Sequence, residues 1–216
     1  MMGDSSQNSE NELIARAKSG DYAAFEAIVS KYEGRIFGLA MRLVRHREDA
    51  EDITQKTFLS VVEHVTDFRE EAPFAAWILR IATNHALKVL RKRRGLDIIP
   101  ARGDDEAEDY ASMPLPDFIA DWHKTPEKLA SDGETKALLT QALDELSDSL
   151  KATFLLRDVE GLSIDDTAKA LGIKPGAVKV RLLRARLQLR ERLTRTLGDR
   201  DRVVQTSHRH ASDEET

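Results

Sequence analysis

Two short amphipathic helices around a single glycine are the feature that most constrains the fold of this chain. Ser163 can cap the first helix, and Gly172 supplies a turn before a second helix that opens with Pro175, where a missing N–H costs little. Apolar residues then recur every three or four positions and predict one buried stripe: Val178, Leu182, Ala185, Leu189 and Leu193. Residues 162–195 therefore predict a helix-turn-helix.

Outside its apolar stripe, the second helix of this motif carries almost only positive charge. A helix-turn-helix places the N-terminal part of its second helix in the major groove of DNA. We therefore predict DNA binding, with Lys179 and Arg181 on base edges and with Lys174 and Arg184 on phosphates. The alternative from the residues alone is an amphipathic hairpin whose charged face is merely solvated.

The charge of the chain is distributed unevenly. The formal net charge is −5 over 216 residues, yet residues 31–94 and 135–197 carry an excess of basic side chains around a strongly acidic segment at 95–134. Because affinity for DNA grows with the number of phosphates neutralised, the acidic segment competes with DNA for the basic faces. We expect the chain alone to bind DNA weakly and another partner to supply most of the affinity.

Composition excludes several classes of protein. The chain has no cysteine, which removes disulfides, thiolate metal sites and cysteine nucleophiles. No apolar run reaches the length of a membrane span, and the polar, acidic start is unlike a signal peptide, so we expect a cytoplasmic protein. The aromatic content of 6% and the near absence of alternating apolar and polar residues predict an all-α fold.

The sequence divides into two small helical domains joined by a flexible acidic linker. Residues 1–94 predict an N-terminal helical domain, and residues 125–197 predict a C-terminal domain that contains the helix-turn-helix. Glycines, prolines and acids interrupt any helix in the linker at 95–124. The polar residues 198–216 predict a disordered tail.

Three helices are predicted in the first domain, at 22–45 after a cap at Asp21, at 48–65, and from Pro73 onward. The third helix ends in four consecutive cations at 91–94. A helix dipole favours cations at a C terminus, but four in succession exceed that need. We therefore predict phosphate contacts by Arg91, Arg93 and Arg94.

Several segments, in order along the chain, resemble bacterial sigma factors of the extracytoplasmic-function (ECF) group. Residues 49–58, DAEDITQKTF, are similar to that family's "DAEDxxQExF" segment, and residues 74–84, FAAWILRIATN, to its "FxxWLxxIAxN" segment. Residues 125–127, TPE, and 154–163, FLLRDVEGLS, extend the resemblance, which runs over about 13–197.

The resemblance implies a sigma factor that binds core RNA polymerase and directs promoter-specific initiation of transcription. In the family the first segment contacts a coiled coil of the polymerase β′ subunit. The matching residues here are Asp49, Glu51, Asp52 and Gln55. An acidic, partly apolar helix face suits a basic partner helix. Lys56 and Lys88 stand where the family usually has acids.

The second segment implies a helix that melts and reads the downstream promoter element, while the helix-turn-helix reads the upstream element. Phe68 and Asn84 match the positions that hold a flipped base, and such a pocket must offset an unpairing cost of a few kcal/mol. Trp77 belongs to the same segment, and the alternative for it is a core aromatic.

The main alternative is a helix-turn-helix regulator whose N-terminal domain senses a ligand or dimerises. The acidic helix at 49–58 and the basic third helix argue against it. No nucleophile, phosphate loop or ligand cluster appears, so we predict no enzyme activity, no catalytic residue, no metal site and no cofactor. The resemblance further implies an anti-sigma factor that holds the chain inactive.

Overall fold

The computed structural model describes the backbone of residues 4–95 and 133–207, in which every regular element is helical. The N-terminal domain comprises α1 (Asp4–Lys18), α2 (Tyr22–Val44), α3 (Arg47–His64), a 3-10 turn (Val65–Asp67) and α4 (Phe74–Arg93). The C-terminal domain comprises α5 (Gly133–Asp144), α6 (Asp148–Phe154), a π-helical turn (Leu155–Val159), α7 (Ile164–Leu171) and α8 (Pro175–Ser207). The predicted all-α fold is confirmed for these residues.

Local capping signals fix the ends of α2. The Asp21 carboxylate accepts hydrogen bonds from the N–H groups of Ala23 and Ala24 at 2.9 and 3.3 Å, as predicted for an N-cap. A hydrogen bond from Arg16, followed by the backbone N–H groups, lowers the pKa of Asp21. The helix ends at Arg45, which takes a left-handed conformation with φ of 55°.

The turn of the helix-turn-helix is built as the sequence predicts. Ser163 Oγ accepts a hydrogen bond from the Asp166 N–H at 3.0 Å and so caps α7. Gly172 ends that helix with φ of 66°, a conformation that glycine adopts without strain. Inside the corner, one small cluster holds the two helices together: Ala168, Val178 and Leu182, with Ile164 and Ile173 at its edge.

Two features of the chain differ from the sequence prediction. The sequence does not predict α1, because this helix is mostly polar and buries only a short face around Ile14 and Ala17. The last helix continues to Ser207, into the segment at 198–216 that was predicted to be a disordered tail. No proline stops a helix there, and polarity alone does not end one. The predicted linker beyond Gly95, the cap at Thr125 and the residues after Ser207 lie outside the described residues.

The core of the N-terminal domain lies between α1, α2, α3 and α4. Buried residues of α2 recur at helical spacing and face this core: Ala24, Ile28, Tyr32, Ile36, Leu39, Ala40 and Leu43. Phe74 lies at the centre of an aromatic cluster, with ring centroids 5.6 Å from Tyr32, 5.2 Å from Phe68 and 5.4 Å from Trp77. Edge-on and tilted contacts of this kind stabilise a core beyond the burial of area alone.

The two domains pack directly against each other, which the sequence does not predict. The first helix of the helix-turn-helix, α7, lies on α4, and α6 contacts both α2 and α4. Five buried residues of the C-terminal domain belong to the same apolar cluster as the N-terminal core: Ala152, Leu155, Leu156, Leu162 and Ala170. The C-terminal domain is therefore docked through an apolar surface.

Candidate polymerase-binding and DNA-binding surfaces

The residues predicted to bind polymerase lie on two sides of α3. Glu51 and Gln55 line a groove between α2 and α3, whereas Asp49 and Asp52 line a second groove between α3 and α4. Since Asp52 and Gln55 are three residues apart on one helix, their side chains are neighbours. Glu51, Asp52 and Gln55 thus share a continuous surface, and Asp49 lies beside Asp52 on the side that faces α4.

Asp49 is held by a residue predicted to bind DNA. Arg93, at the end of α4, forms an ion pair with the Asp49 carboxylate and also donates a hydrogen bond to the Val44 carbonyl at 2.7 Å. The other two acids of the predicted polymerase site form exposed pairs within α3, Glu51 with Arg47 at 2.8 Å and Asp52 with Lys56 at 2.6 Å. Exposed pairs of this kind are weak, so a partner can replace them easily.

Two exposed apolar residues extend the α3 surface and were missed by the sequence reasoning. Leu59 and Val62 are each 55% exposed and line the same groove as Glu51 and Gln55. Adjacent exposed apolar side chains of this size mark surfaces that bind other proteins. The available signal was their position outside the buried stripe of Ile53, Thr57 and Val61.

The aromatic residues predicted to contact DNA are packed in the core to different degrees. Phe68 is 5% exposed, and its ring lies 5.2 Å from Phe74 and 5.4 Å from Trp77. Lys18 covers the same ring and donates a hydrogen bond to the Phe68 carbonyl at 2.7 Å. Phe68 therefore does not line an open pocket for a flipped base, because its burial completes the aromatic cluster. Trp77 is half-buried in that cluster.

Asn84 and Arg91 lie on the exposed side of α4, with Lys88 between them. Along one helix these residues are four and three positions apart, so they follow a single edge. The basic run at the end of the helix is more constrained: Arg91 donates to the Leu87 carbonyl at 3.3 Å, and Arg94 pairs with Asp148 of α6 at 3.0 Å. Arg93 and Arg94 are thus each held by a carboxylate.

The groove between α3 and α4 is lined by more cations than acids. Its lining includes Lys56, Lys88 and Lys92, and His85 lies inside it with Nε2 3.2 Å from the Ser60 hydroxyl. Burial lowers the pKa of His85, and the charges of Lys56 and Lys88 lower it further. The two lysines that replace acids of the family pattern therefore act on the same groove.

The predicted DNA-reading residues of the helix-turn-helix lie in the N-terminal half of α8 and before it. Lys174, Lys179 and Arg184 are exposed, and Arg181 is half-buried beside the core residue Leu182. All four lie outside the buried stripe of the helix.

Arg186, Arg192 and Arg195 of α8 form ion pairs within the protein. Arg186 forms two hydrogen bonds with Asp158, at 2.9 and 2.7 Å, and their side chains are only 10% and 11% exposed. Further along, Arg192 pairs with Glu145, and Arg195 pairs with Glu191 at 2.7 Å. Arg186 lies outside the apolar stripe of the sequence pattern, yet its buried pair with Asp158 joins α8 to the π-helical turn.

No group of three or more His, Cys, Asp or Glu side chains that could hold a metal ion occurs among the described residues. Over the same residues, no helix is both long enough and apolar enough to cross a membrane.

Comparison with known proteins identifies both domains. The family described as Sigma-70 region 2 matches residues 28–95, and Sigma-70, region 4 matches residues 136–189. The chain is 32% identical over 182 residues to the RNA polymerase sigma-H factor of Pseudomonas aeruginosa, covering 83% of this chain and 91% of that protein. It is 31% identical to the ECF RNA polymerase sigma-E factor of Haemophilus influenzae, covering 87% and 96%.

Solved structures share the fold. The structure of CnrH in complex with the cytosolic domain of CnrY matches with a TM-score of 0.59 and 24% identity, covering 85% of this chain and 96% of that one. The sigma factor RpoE of Bartonella quintana, in complex with the anti-sigma factor NepR, matches with a TM-score of 0.57 and 24% identity, covering 79% and 96%.

These matches and the two-domain helical fold define a transcription initiation factor rather than an enzyme. The chain belongs to the ECF sigma factors of the sigma-70 family. Because residues 28–95 match a sigma region, the N-terminal domain is not the sensor or dimerisation domain of the alternative reading.

Proposed function

We propose that this sigma factor binds core RNA polymerase through α3, melts and reads the downstream promoter element with α4, and reads the upstream element with the beginning of α8. The observation that carries the proposal is the exposed surface of α3, where acids stand next to unburied Leu59 and Val62. Leu59 and Val62 are not packed in the core of the domain. The helix α3 also lies beside α4, which carries the exposed cations Lys88 and Arg91.

The composition of the α3 surface specifies its partner. Glu51, Asp52 and Gln55 supply a polar, acidic rim, and Leu59 and Val62 supply an apolar centre. An interface of this kind fits a helix with an apolar ridge and basic flanks. We assign this surface to the coiled coil of the polymerase β′ subunit, with Asp49 contributing only after it leaves Arg93.

Downstream reading is assigned to the exposed edge of α4. Asn84 offers amide hydrogen bonds to a base, and Lys88 and Arg91 follow it along the helix toward the phosphates. The buried ring of Phe68 packs against Phe74 and Trp77 of α4, so its role is to position this helix.

Regulation by a protein inhibitor is also part of the proposal. The Bartonella quintana relative was solved with an anti-sigma factor, and we propose that an anti-sigma factor holds this chain inactive too. We propose a cytoplasmic location, where polymerase and chromosome are found. The proposal requires no cofactor.

Charge reversal on α3 tests the polymerase assignment. Asp52→Arg should abolish co-purification with core polymerase, because it places a cation against a basic partner. The melting temperature should change little, since exposed charge reversals shift stability by only about 0.5 kcal/mol. Glu26→Arg is the matched control, an exposed acid-to-arginine change on α2. Unimpaired polymerase binding by Asp52→Arg would refute the assignment.

Templates with a pre-melted bubble separate DNA opening from folding. Asn84→Ala should lower initiation on duplex promoters and largely recover on bubble templates, where the unpairing cost is already removed. Phe68→Ala should impair both templates equally, since it removes a core side chain. Equal defects of Asn84→Ala on both templates would contradict a role in opening.

A promoter-library selection at two salt concentrations tests the helix-turn-helix. Arg181→Ala should flatten base preference at one or two upstream positions, a loss of about 1–3 kcal/mol in discrimination. Lys174→Ala should weaken all promoters equally and lower the salt slope by about one unit. Arg192→Ala is the control and should leave base preference intact. The reverse pattern would show that a different part of α8 enters the groove.

A further inference from the structure

One lysine of α1 contacts the loop that leads into α4 in three ways. The Lys18 ammonium donates a hydrogen bond to the Phe68 carbonyl at 2.7 Å, and it lies 5.3 Å from the centre of the same residue's ring. It also pairs with the Glu70 carboxylate at 3.4 Å. A helix dipole favours a lysine in the last turn of a helix, but it does not require contacts with a segment 50 residues away. Lys18 therefore connects α1 to this loop.

The loop contains a strained residue. Glu70 has φ of 58°, a left-handed conformation that residues with a Cβ rarely adopt. The other non-glycine residue with a positive φ among the described residues, Arg45, ends α2, where a left-handed residue is common. Glu70 does not end a helix, because the 3-10 turn stops at Asp67 and α4 begins at Phe74. A conformation of this kind persists only where neighbouring contacts hold it.

Lys18 supplies the polar contacts that hold the loop. Among the described residues, no backbone hydrogen bond joins residues 69–72 to another part of the domain. The ion pair with Glu70 is weak, because the side chain of Glu70 is 53% exposed. The bond to the Phe68 carbonyl is short and charge-assisted, and the side chain of Lys18 is only 26% exposed. The carbonyl bond is therefore the main contact, and the ion pair adds to it.

The loop determines where α4 begins. Pro73 precedes this helix without a side-chain cap, and its carbonyl accepts hydrogen bonds from the N–H groups of Ala76 and Trp77 at 2.9 and 3.2 Å. The Phe68 ring packs against Phe74 and Trp77 in the first turn of the helix. A contact that fixes the Phe68 carbonyl thus fixes the ring and, through the ring, the first turn of α4.

We propose that Lys18 is a positioning residue for the reading of the downstream promoter element. It holds the loop at residues 68–72 in its strained conformation and thereby orients α4. Lys18 acts through Phe68 and Glu70 and does not itself contact DNA. The hold on the loop is a property of the free chain, and its consequence for promoters rests on the function proposed above.

NMR of the free, full-length protein tests the hold on the loop. The backbone chemical shifts of Glu70 differ between a left-handed and an ordinary φ, so they report its conformation directly. Lys18→Met removes the ammonium and keeps an unbranched side chain, and it should move the Glu70 shifts toward those of an ordinary φ. Lys18→Arg should leave the shifts unchanged, because a guanidinium also donates to oxygen and lies on aromatic rings.

A promoter-library selection randomised at the downstream element tests the consequence. Lys18→Met should flatten base preference there and lower initiation on duplex promoters by about tenfold, the order of change that losing one hydrogen bond to a charged group produces. Upstream base preference and co-purification with core polymerase should not change, since the loop belongs to neither of those surfaces. Lys18→Arg should retain both the downstream preference and the initiation.

A second substitution separates positioning from a loss of stability. Glycine adopts a positive φ without strain, so Glu70→Gly combined with Lys18→Met should recover most of the downstream preference. Glu70→Val should reproduce the defect of Lys18→Met although the lysine is present, because a β-branched residue opposes the left-handed conformation. If Lys18→Met does not fold, Lys18→Gln takes its place.

Lys31→Met is the matched control. Lys31 also pairs with a carboxylate, that of Glu10 at 2.7 Å, and lies 5.7 Å from the centre of the Tyr32 ring. These contacts join α1 to α2 and do not involve the loop. Lys31→Met should lower the melting temperature about as much as Lys18→Met and leave downstream base preference intact.

Three results would overturn the proposal. The first is a folded Lys18→Met variant with unchanged Glu70 shifts, and the second is one with changed shifts and full downstream preference. The third is a defect of Lys18→Met that Glu70→Gly does not reduce. Asn84→Ala reports separately on the proposed function of α4. If that variant kept full downstream reading, the function would fail while the Glu70 shifts still decided whether Lys18 holds the loop.

Discussion

The N-terminal domain supplies most of one large core, whereas the C-terminal domain completes part of its packing on that core. Four helices of the N-terminal domain surround one large cluster with Phe74 near its centre. The C-terminal domain has two small clusters of its own, one around Leu189 and one around Val178. Its remaining buried residues, such as Leu155, join the cluster of the other domain. The C-terminal domain therefore depends for part of its stability on its packing against the N-terminal domain.

The charges at the interface repeat this asymmetry. The N-terminal domain contributes arginines to the interface. The C-terminal domain contributes acids, although the second helix of its helix-turn-helix is basic. The acids that dock the C-terminal domain are therefore distinct from the basic side chains of its second helix-turn-helix helix.

Truncation of Phe74 should have the largest effect on stability. Phe74→Ala removes a side chain that is 1% exposed and contacts three aromatic rings, so the free energy of unfolding should fall by about 3–5 kcal/mol. Trp77 fluorescence in a Trp122→Phe background reports this unfolding from inside the N-terminal domain. Because buried residues of the C-terminal domain pack against this core, both domains should unfold together.

Far-UV circular dichroism of Phe74→Ala would contradict the dependence of the C-terminal domain on the N-terminal core if the C-terminal helices melted well above the Trp77 transition. That result would mean that the C-terminal domain is stable without its neighbour.

Leu155→Ala should have an intermediate and more local effect. Truncating a fully buried leucine costs about 2–5 kcal/mol, and here the lost contacts belong to the shared cluster. We expect the C-terminal helices to melt at a lower temperature than Trp77 reports, so that one transition becomes two. Energy transfer between dyes attached at Ser30→Cys and Gln188→Cys, exposed positions in the two domains of this cysteine-free chain, should fall as well.

Leu189→Ala is the matched control, because Leu189 is also fully buried but packs only within the C-terminal domain. It should lower the stability of that domain by a similar amount while the folded protein keeps its high energy transfer. If the two variants change the transfer equally, Leu155 has no special part in docking.

Local signals explain what the sequence could predict. Asp21 and Ser163 cap helices through their own neighbours, and Gly172 takes the left-handed turn that a helix-turn-helix needs. Each of these features depends on residues a few positions away, so the pattern of one segment is sufficient. The boundaries of α2, α3 and α4 follow from the same kind of information.

Long-range partners explain what the sequence could not predict. Arg35 and Glu160 are 125 positions apart, and nothing in either segment points to the other. Arg184 and Arg186 look alike in the sequence, yet Asp158 binds only the second in a buried pair. The burial of Phe68 also depends on distant partners. An aromatic residue after a short turn can be exposed or buried, and here its ring is buried because it packs against Phe74 and Trp77.

The smallest effect should come from His85 and stay within the N-terminal domain. Burial and the charges of Lys56 and Lys88 lower the pKa of this imidazole, so the unfolded chain, with an ordinary value near 6.5, binds more protons than the folded one just below that pH. Stability should therefore be unaffected by His85 above about pH 6.5 and should decline as the pH falls toward the folded pKa. A titration of the His85 ring followed by NMR should give a pKa below 6.5. Lys88→Gln should raise it, because one positive charge is removed. A value at or above 6.5 in the unmodified protein would contradict the lowering by burial and by the two lysines.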